Sequence, residues 1–160
     1  MLPDYLSKAA VLEKILAMIS VMPKLVDRNG ALGEALPNEG SFCVTGLVLS
    51  DCLGAITKLE NELDDEQKGV LLKSLEPLVG FLSSQDETHG IISNHLATTA
   101  LSLVRWAKLS KNDRALDRAE KWINRIKNNA SDEGWFREYG GADPGYQSWW
   151  CASLAQIELE

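Results

Sequence analysis

The chain reads as an all-α protein of αα-hairpin repeats, a partial α/α toroid of about three hairpins and six main helices. Two observations lead there. No segment shows the two-residue alternation of a half-buried strand, whereas apolar residues recur at spacings of three and four. Long loops carrying a glycine beside an aromatic or aliphatic residue precede every second helix, at Gly40-Ser41-Phe42, Gly90-Ile91-Ile92 and Gly134-Trp135-Phe136.

Residues 4–21 place Leu6, Ala9, Leu12, Ile15, Leu16 and Ile19 along one stripe, a first amphipathic helix that Pro23 ends or kinks. Three glycines and a proline make 29–40 a loop. A strongly apolar second helix spans 41–62. Asp64 or Asp65 can cap a third, running to about Ser83 with Pro77 bending it, its acidic start suiting the helix dipole. Residues 84–93 form a loop, and a fourth helix rich in Ala, Thr and Leu covers 94–109. Asn112 caps a fifth, which ends near 128–129. After another long loop the last helix runs from Gln147 to about Ile157. Helices two and four are nearly uncharged, whereas three and five are charged and amphipathic, the signature of inner and outer members of stacked hairpins. Helices two, four and six should therefore be the most buried. Short links join inner to outer helices, so the long return loops should gather at one end and line a cleft. Residues 1–160 read as one helical domain, of a size to be a module or fragment of a longer toroid protein. The first helix packing at an end, a missing toroid partner domain, or a second copy of the chain would supply the outer neighbour that helix six lacks.

Charge and composition narrow the functional classes. A net charge of −7 and a pI near 4.9 argue against nucleic acid as a partner, because phosphate binding needs clustered Lys and Arg. No apolar run is long enough for a membrane span, and the start Met1-Leu2-Pro3-Asp4 lacks the order of a signal peptide, so a cytoplasmic location is expected. Cys43 and Cys52 fall on opposite faces of one helix and should not pair; all three cysteines read as buried thiols in a reducing compartment. Arg114, Arg118, Lys121 and Arg125 form a basic stripe on helix five, either a solvated outer face or a surface for self-association with the acidic remainder.

The segment 132–150 concentrates candidate chemistry: Trp135, Phe136, Tyr139, Tyr146, Trp149 and Trp150, with four glycines and four carboxylates. Aromatic faces stack on sugar rings, and carboxylates and Arg137 hydrogen-bond hydroxyls. Glu138 and Asp143 offer a general acid and base pair of the kind glycoside hydrolysis uses. The competing structural reading is a plug, with Trp135 and Phe136 packed under the helices and Asp143-Pro144 opening the last one. A second group lies at His89-Gly90-Ile91-Ile92-Ser93-Asn94-His95. There a neutral His95 could abstract a proton, with Asn94 or Arg137 stabilising the developing charge. Its structural counterpart makes Asn94 an N-cap and His95 a hydrogen-bonded residue. Two histidines without further ligands at suitable spacing do not make a metal site, and no cofactor motif is present.

Asn94-His95-Leu96-Ala97 with its alanine-rich helix, followed by 132–139, resembles the helical toroid domain of heparinase- and alginate-lyase-like proteins, and related toroids of unsaturated glucuronyl hydrolases. The resemblance covers about residues 89–157. It implies an acidic, uronate-type oligosaccharide as partner. Asn94 and His95 would match the Asn-His pair that neutralises the uronate carboxylate. Tyr139 or Tyr146 would be the tyrosine that removes the adjacent proton. On this reading His95 and Tyr139 are catalytic, and Asn94, Trp135, Arg137, Glu138, Asp143 and Tyr146 bind substrate. The alternative is a non-catalytic helical-repeat module that holds a protein or peptide with the same loops.

Overall fold

A computed structural model describes residues 7–36 and 39–160. Its helices are α1 (Lys8–Ser20), α2 (Phe42–Lys58), α3 (Asp65–Ser84), α4 (Ser93–Ser110), α5 (Arg114–Lys127) and α6 (Pro144–Leu159), with one short 3₁₀ turn at Met22–Lys24. Among the described residues there is no strand, only isolated bridges within and between loops, so the all-α hairpin arrangement holds. The start of the first expected helix lies outside the described residues.

Local chemistry sets the boundaries. Asp64 and Gln67 satisfy one another's backbone N–H groups in a capping box at the start of α3. Pro77 lies inside that helix without ending it. Asp143 accepts the Tyr146 N–H (2.9 Å) and Pro144 occupies the first turn, so α6 begins three residues before the expected Gln147. Asn94 is not the cap of α4. Helix geometry starts at Ser93, and Asn94 sits within the first turn with its side chain engaged elsewhere. The three lead-in glycines all have positive φ: +64° at Gly40, +138° at Gly90 and +89° at Gly134. That shared backbone requirement is the physical content of the repeat seen in the sequence.

The core is centred on α4, which buries twelve residues and packs against α2, α5 and α6. Leu49, Leu53 and Ile56 of α2, Leu75, Leu78 and Leu82 of α3, and Trp122 of α5 complete it. Arg105 of α4 knits the inner helices together. It donates to the Ser50 carbonyl and hydroxyl (both 3.1 Å), to Gln156, and to Glu160 (2.9 Å). The basic stripe of α5 is partly turned inward. Arg118 lies over the Trp122 ring at 4.3 Å and pairs with Asp86 at 2.6 Å, so it serves the fold rather than open solvent.

Two expectations fail. Only Trp150 and Ser153 of α6 are buried, because among the described residues α6 packs on α4, while α1 packs against α3 rather than over α6. Cys43 and Cys52 are half-buried and Cys151 is exposed, rather than all three being interior. Burial, followed by the charge of Asp51, pushes the Cys52 thiol up to about 11. Among the described residues no helix is long and apolar enough to cross a membrane.

Candidate functional site

The second and third long loops meet at the N-terminal end of α4, as the hairpin layout requires. The Ser93 N–H and hydroxyl both donate to the Arg137 carbonyl (3.2 and 2.8 Å), and the Tyr139 N–H donates to the Ile91 carbonyl (2.9 Å). Between them, the Glu138 carboxylate accepts from the Asn94 backbone N–H and from its side-chain amide, each at 2.8 Å. Glu138 is buried. Burial raises its pKa and the two Asn94 bonds oppose that rise. The carboxylate thus stands where an anion is favoured at a helix N-terminus, and supplies acceptors for donors the helix itself cannot satisfy.

This clamp fixes the backbone around Tyr139. Its φ of +54° places a bulky residue in the left-handed region, which costs about 1–3 kcal/mol unless the surroundings over-determine it. Yet the ring is 58% exposed, so packing of the side chain does not account for the conformation. Arg137 donates its Nε–H to the Tyr139 carbonyl (2.9 Å). Tyr146 and Trp149, each 40% exposed, stand three residues apart on one face of α6. Burial first, then the charges of Tyr146 and Glu87, raise the Tyr139 pKa.

The other half of the site is organised by Glu87, whose side chain is fully buried. One oxygen accepts from His95 Nδ1 at 2.7 Å. The other accepts from the His89 backbone N–H at 2.9 Å and faces His89 Nδ1 at 3.0 Å. Burial raises the Glu87 pKa, but the hydrogen bonds from His95 and His89 outweigh it and hold the carboxyl at about 2. Burial also lowers the His95 pKa, and its interactions with Cys43 and the Glu87 carboxylate more than reverse this, bringing it to about 9. His95 is therefore an imidazolium at neutral pH, not the neutral base that its position in the first turn of α4 suggested.

The residues singled out in the sequence fall into three sets. Asn94, His95, Glu138 and Tyr139 come together at the junction of the loops. Arg137 adjoins them through the Tyr139 carbonyl, and Tyr146 stands exposed on α6. Glu138 and Asp143 do not form a pair of free carboxylates: both Glu138 oxygens are held by Asn94, and Asp143 caps α6. Trp135 and Phe136 part company. Phe136 stacks on Trp150, with centroids 3.6 Å apart, and packs against the core. Trp135 is half-buried and its indole N–H reaches only the neighbouring Glu133. Sequence reasoning missed Glu87 and the part played by Cys43. For Cys43 the one available signal was that it and His95 both occupy the first turn of an inner helix after a lead-in glycine, whereas Glu87 carried none. No protein-family model matches the chain, and neither a curated protein nor a solved structure does.

Proposed function

We propose that the chain is a carbohydrate-binding helical-hairpin module of the α/α-toroid type, with the loop end around Tyr139 as its binding surface. The observation that carries the reading is Tyr139 itself. A strained backbone is held in place by the Glu138–Asn94 clamp, and what it presents outward is an exposed aromatic ring. Tyr146 and Trp149 add two further exposed faces, the arrangement that stacking on sugar rings needs. A uronate-type saccharide is the favoured ligand. Arg137 is oriented by its Nε–H bond, and its other N–H groups meet no acceptor among the described residues, so they can take a carboxylate in a forked pair. With Nδ1 of His95 taken by the buried Glu87 carboxylate, Arg137 rather than the imidazole is the group suited to a uronate carboxylate.

The test is calorimetric titration with matched neutral and uronate oligosaccharides. Tyr139→Ala should weaken binding of both by about tenfold or more, which is roughly 1.4 kcal/mol. Tyr139→Phe should keep most of the affinity, because the ring face is retained. Arg137→Ala should weaken the uronate ligands alone, and added salt should mimic it. If Tyr139→Phe binds normally but loses measurable cleavage, the phenol acts in a lyase reaction. Absence of binding to every saccharide would leave the alternative, a non-catalytic module that holds a peptide or protein with the same loops.

A further inference from the structure

The inner helices stand in a row, α2–α4–α6, with their N-termini at one end. Ser50 of α2 meets Arg105 of α4, which also reaches Gln156 and Glu160 at the close of α6, while Asn94 holds Glu138 ahead of its start. Within the row the helices meet through small residues. A Cβ on Gly46 would come within 2.6 Å of Thr99 Oγ1, and one on Gly54 within 3.1 Å of the Arg105 guanidinium. By helical periodicity the opposite face of α2 carries Val48, Cys52 and Ala55. There α1, which packs chiefly on α3, sets Ile15, Met18 and Met22 across an open apolar groove from those three residues.

The other end of the row has the complementary relief. α6 turns Trp150 and Ser153 toward the core and leaves Gly145, Ser148, Ala152, Ala155 and Leu159 exposed on the far side, at spacings of three and four. That ridge has little side-chain bulk before Leu159, so a neighbouring helix can approach it closely, as α4 approaches Gly46 and Gly54 inside the row.

We propose that a second copy of this chain covers both open ends, the α6 ridge of each protomer seating in the α1–α2 groove of its partner about a two-fold axis parallel to the inner helices. Shape supports it, since large apolar walls face a ridge of small residues. So does order, because the partner's α6 would lie on the free face of α2 and continue the row with the same parallel sense. Charge supports it too. From Pro144 onward the only charged residues are Glu158 and Glu160, at the C-terminal end of the ridge. The groove has Lys8, Lys14 and Lys58 along its rim at the end where α2 finishes, Lys8 being placed there by its ion pair with Glu62. Asp51 is the one acid in the groove wall, and Glu13 falls on the other side of α1. Parallel packing brings the acidic and basic ends together. An unclosed contact of this kind would grow into a filament, whereas the two-fold axis closes a ring of six inner helices. The inference rests on the α/α-toroid part of the proposed function and not on its ligand. Tyr146 and Trp149 lie off the ridge and stay exposed, and the two Tyr139 rings border one shared opening.

Sedimentation equilibrium of the full chain, without saccharide, tests the pairing. The parent should have twice the 17.6 kDa mass of one chain at micromolar concentration. Ala152→Arg on the ridge and Met18→Asp in the groove change exposed side chains, so both variants should stay helical by circular dichroism. Each should raise the dimer dissociation constant by about 100-fold or more, because the two-fold axis repeats the clash. Leu116→Asp, on the outer face of α5, should leave the constant unchanged. A parent chain that stays monomeric overturns the proposal and leaves the ends to residues 1–6 or to a different domain. A mass that climbs past two copies with concentration overturns the closed pair in favour of a filament. A dimer that resists either substitution, or that Leu116→Asp dissolves, overturns the seating of ridge in groove. None of these masses depends on the saccharide titrations, so the dimer and the carbohydrate reading fail separately.

Discussion

Helices α4 and α6 carry the same inner-helix pattern in the sequence, each behind a glycine-led loop, yet their environments differ. α4 is gripped by α2, α5 and α6 and buries twelve residues. α6 has α4 on one side and leaves Tyr146, Trp149 and Leu159 exposed. Their N-termini differ in the same way. α6 is capped locally by the adjacent Asp143. α4 is completed from a distance, by Glu138 reaching across from the third loop. Burial in a stacked repeat is therefore decided by how many neighbours a helix has, not by its own composition. The helix capped from afar is also the one around which the chemistry gathers.

The largest effect should come from emptying the better-gripped helix. Leu103 of α4 is fully buried, so Leu103→Ala should cost about 3–5 kcal/mol, the transfer term plus the cavity it leaves. On α6, Trp149→Ala removes a larger side chain from a 40% exposed site and should change stability by about 0.5 kcal/mol or less. Urea unfolding of the two variants measures both. Comparable losses would mean that something covers α6 in solution, and the contrast between the helices would dissolve.

A middle-sized effect separates the two aromatics that lead into α6. Phe136 stacks on Trp150 and joins the core, so Phe136→Ala should cost about 2–3 kcal/mol, below the full figure for an interior aromatic because the site is half-buried. The indole N–H of Trp135 bonds the neighbouring Glu133, its other bonds are backbone ones to Ser131, and Trp135→Ala should cost no more than about 1 kcal/mol. The two denaturation midpoints, measured side by side, decide it. A larger loss at Trp135 would restore it as the anchor of the loop.

Much of the architecture was legible because it is local. The spacing of Leu and Ala, the acidic start of α3 and the glycine ahead of each inner helix act within a few residues, and positive φ at Gly40, Gly90 and Gly134 is the backbone event behind the last of these. The site was legible in part. Asn94, His95, Glu138 and Tyr139 stand out in sequence because polar and aromatic residues cluster where loops meet helices. Their partnerships do not, since Asn94 and Glu138 lie 44 residues apart and either could have served its own helix or loop. Glu87 is the clearest omission. A single acid in a polar loop carries no mark of being buried, and only the folded chain brings two histidines onto it. The exposure of α6 was hidden for the opposite reason: its residues look like core, and what it lacks is a neighbour.

The last test reads, through pH, the His95–Glu87 pair that ties the lead-in loop to the first turn of α4, each unit of pKa change being worth about 1.4 kcal/mol before solvent screening. The folded pKa of His95 lies near 9, above its ordinary value of 6.5, because the Cys43 and Glu87 contacts outweigh burial. Folding therefore takes up a proton between those values. The stabilisation is fully present below pH 6.5 and is lost as pH rises through 9. Glu87, held at about 2 against an ordinary 4.5, has the opposite dependence: its contribution is present above pH 4.5 and is lost as pH falls toward 2. Cys52, pushed up to about 11, also destabilises the fold with rising pH, so the measurement belongs in a Cys52→Ala background. There the melting temperature should fall between pH 6.5 and 9 in the parent chain and much less in Glu87→Gln, which removes the charge that holds the imidazolium. Asp143→Asn should leave that slope intact, since it alters only the local cap of α6, far along the chain from His95. An equal slope in parent and Glu87→Gln would show that the His95–Glu87 pair does not couple to folding, leaving burial and the Glu138 clamp as the differences between α4 and α6.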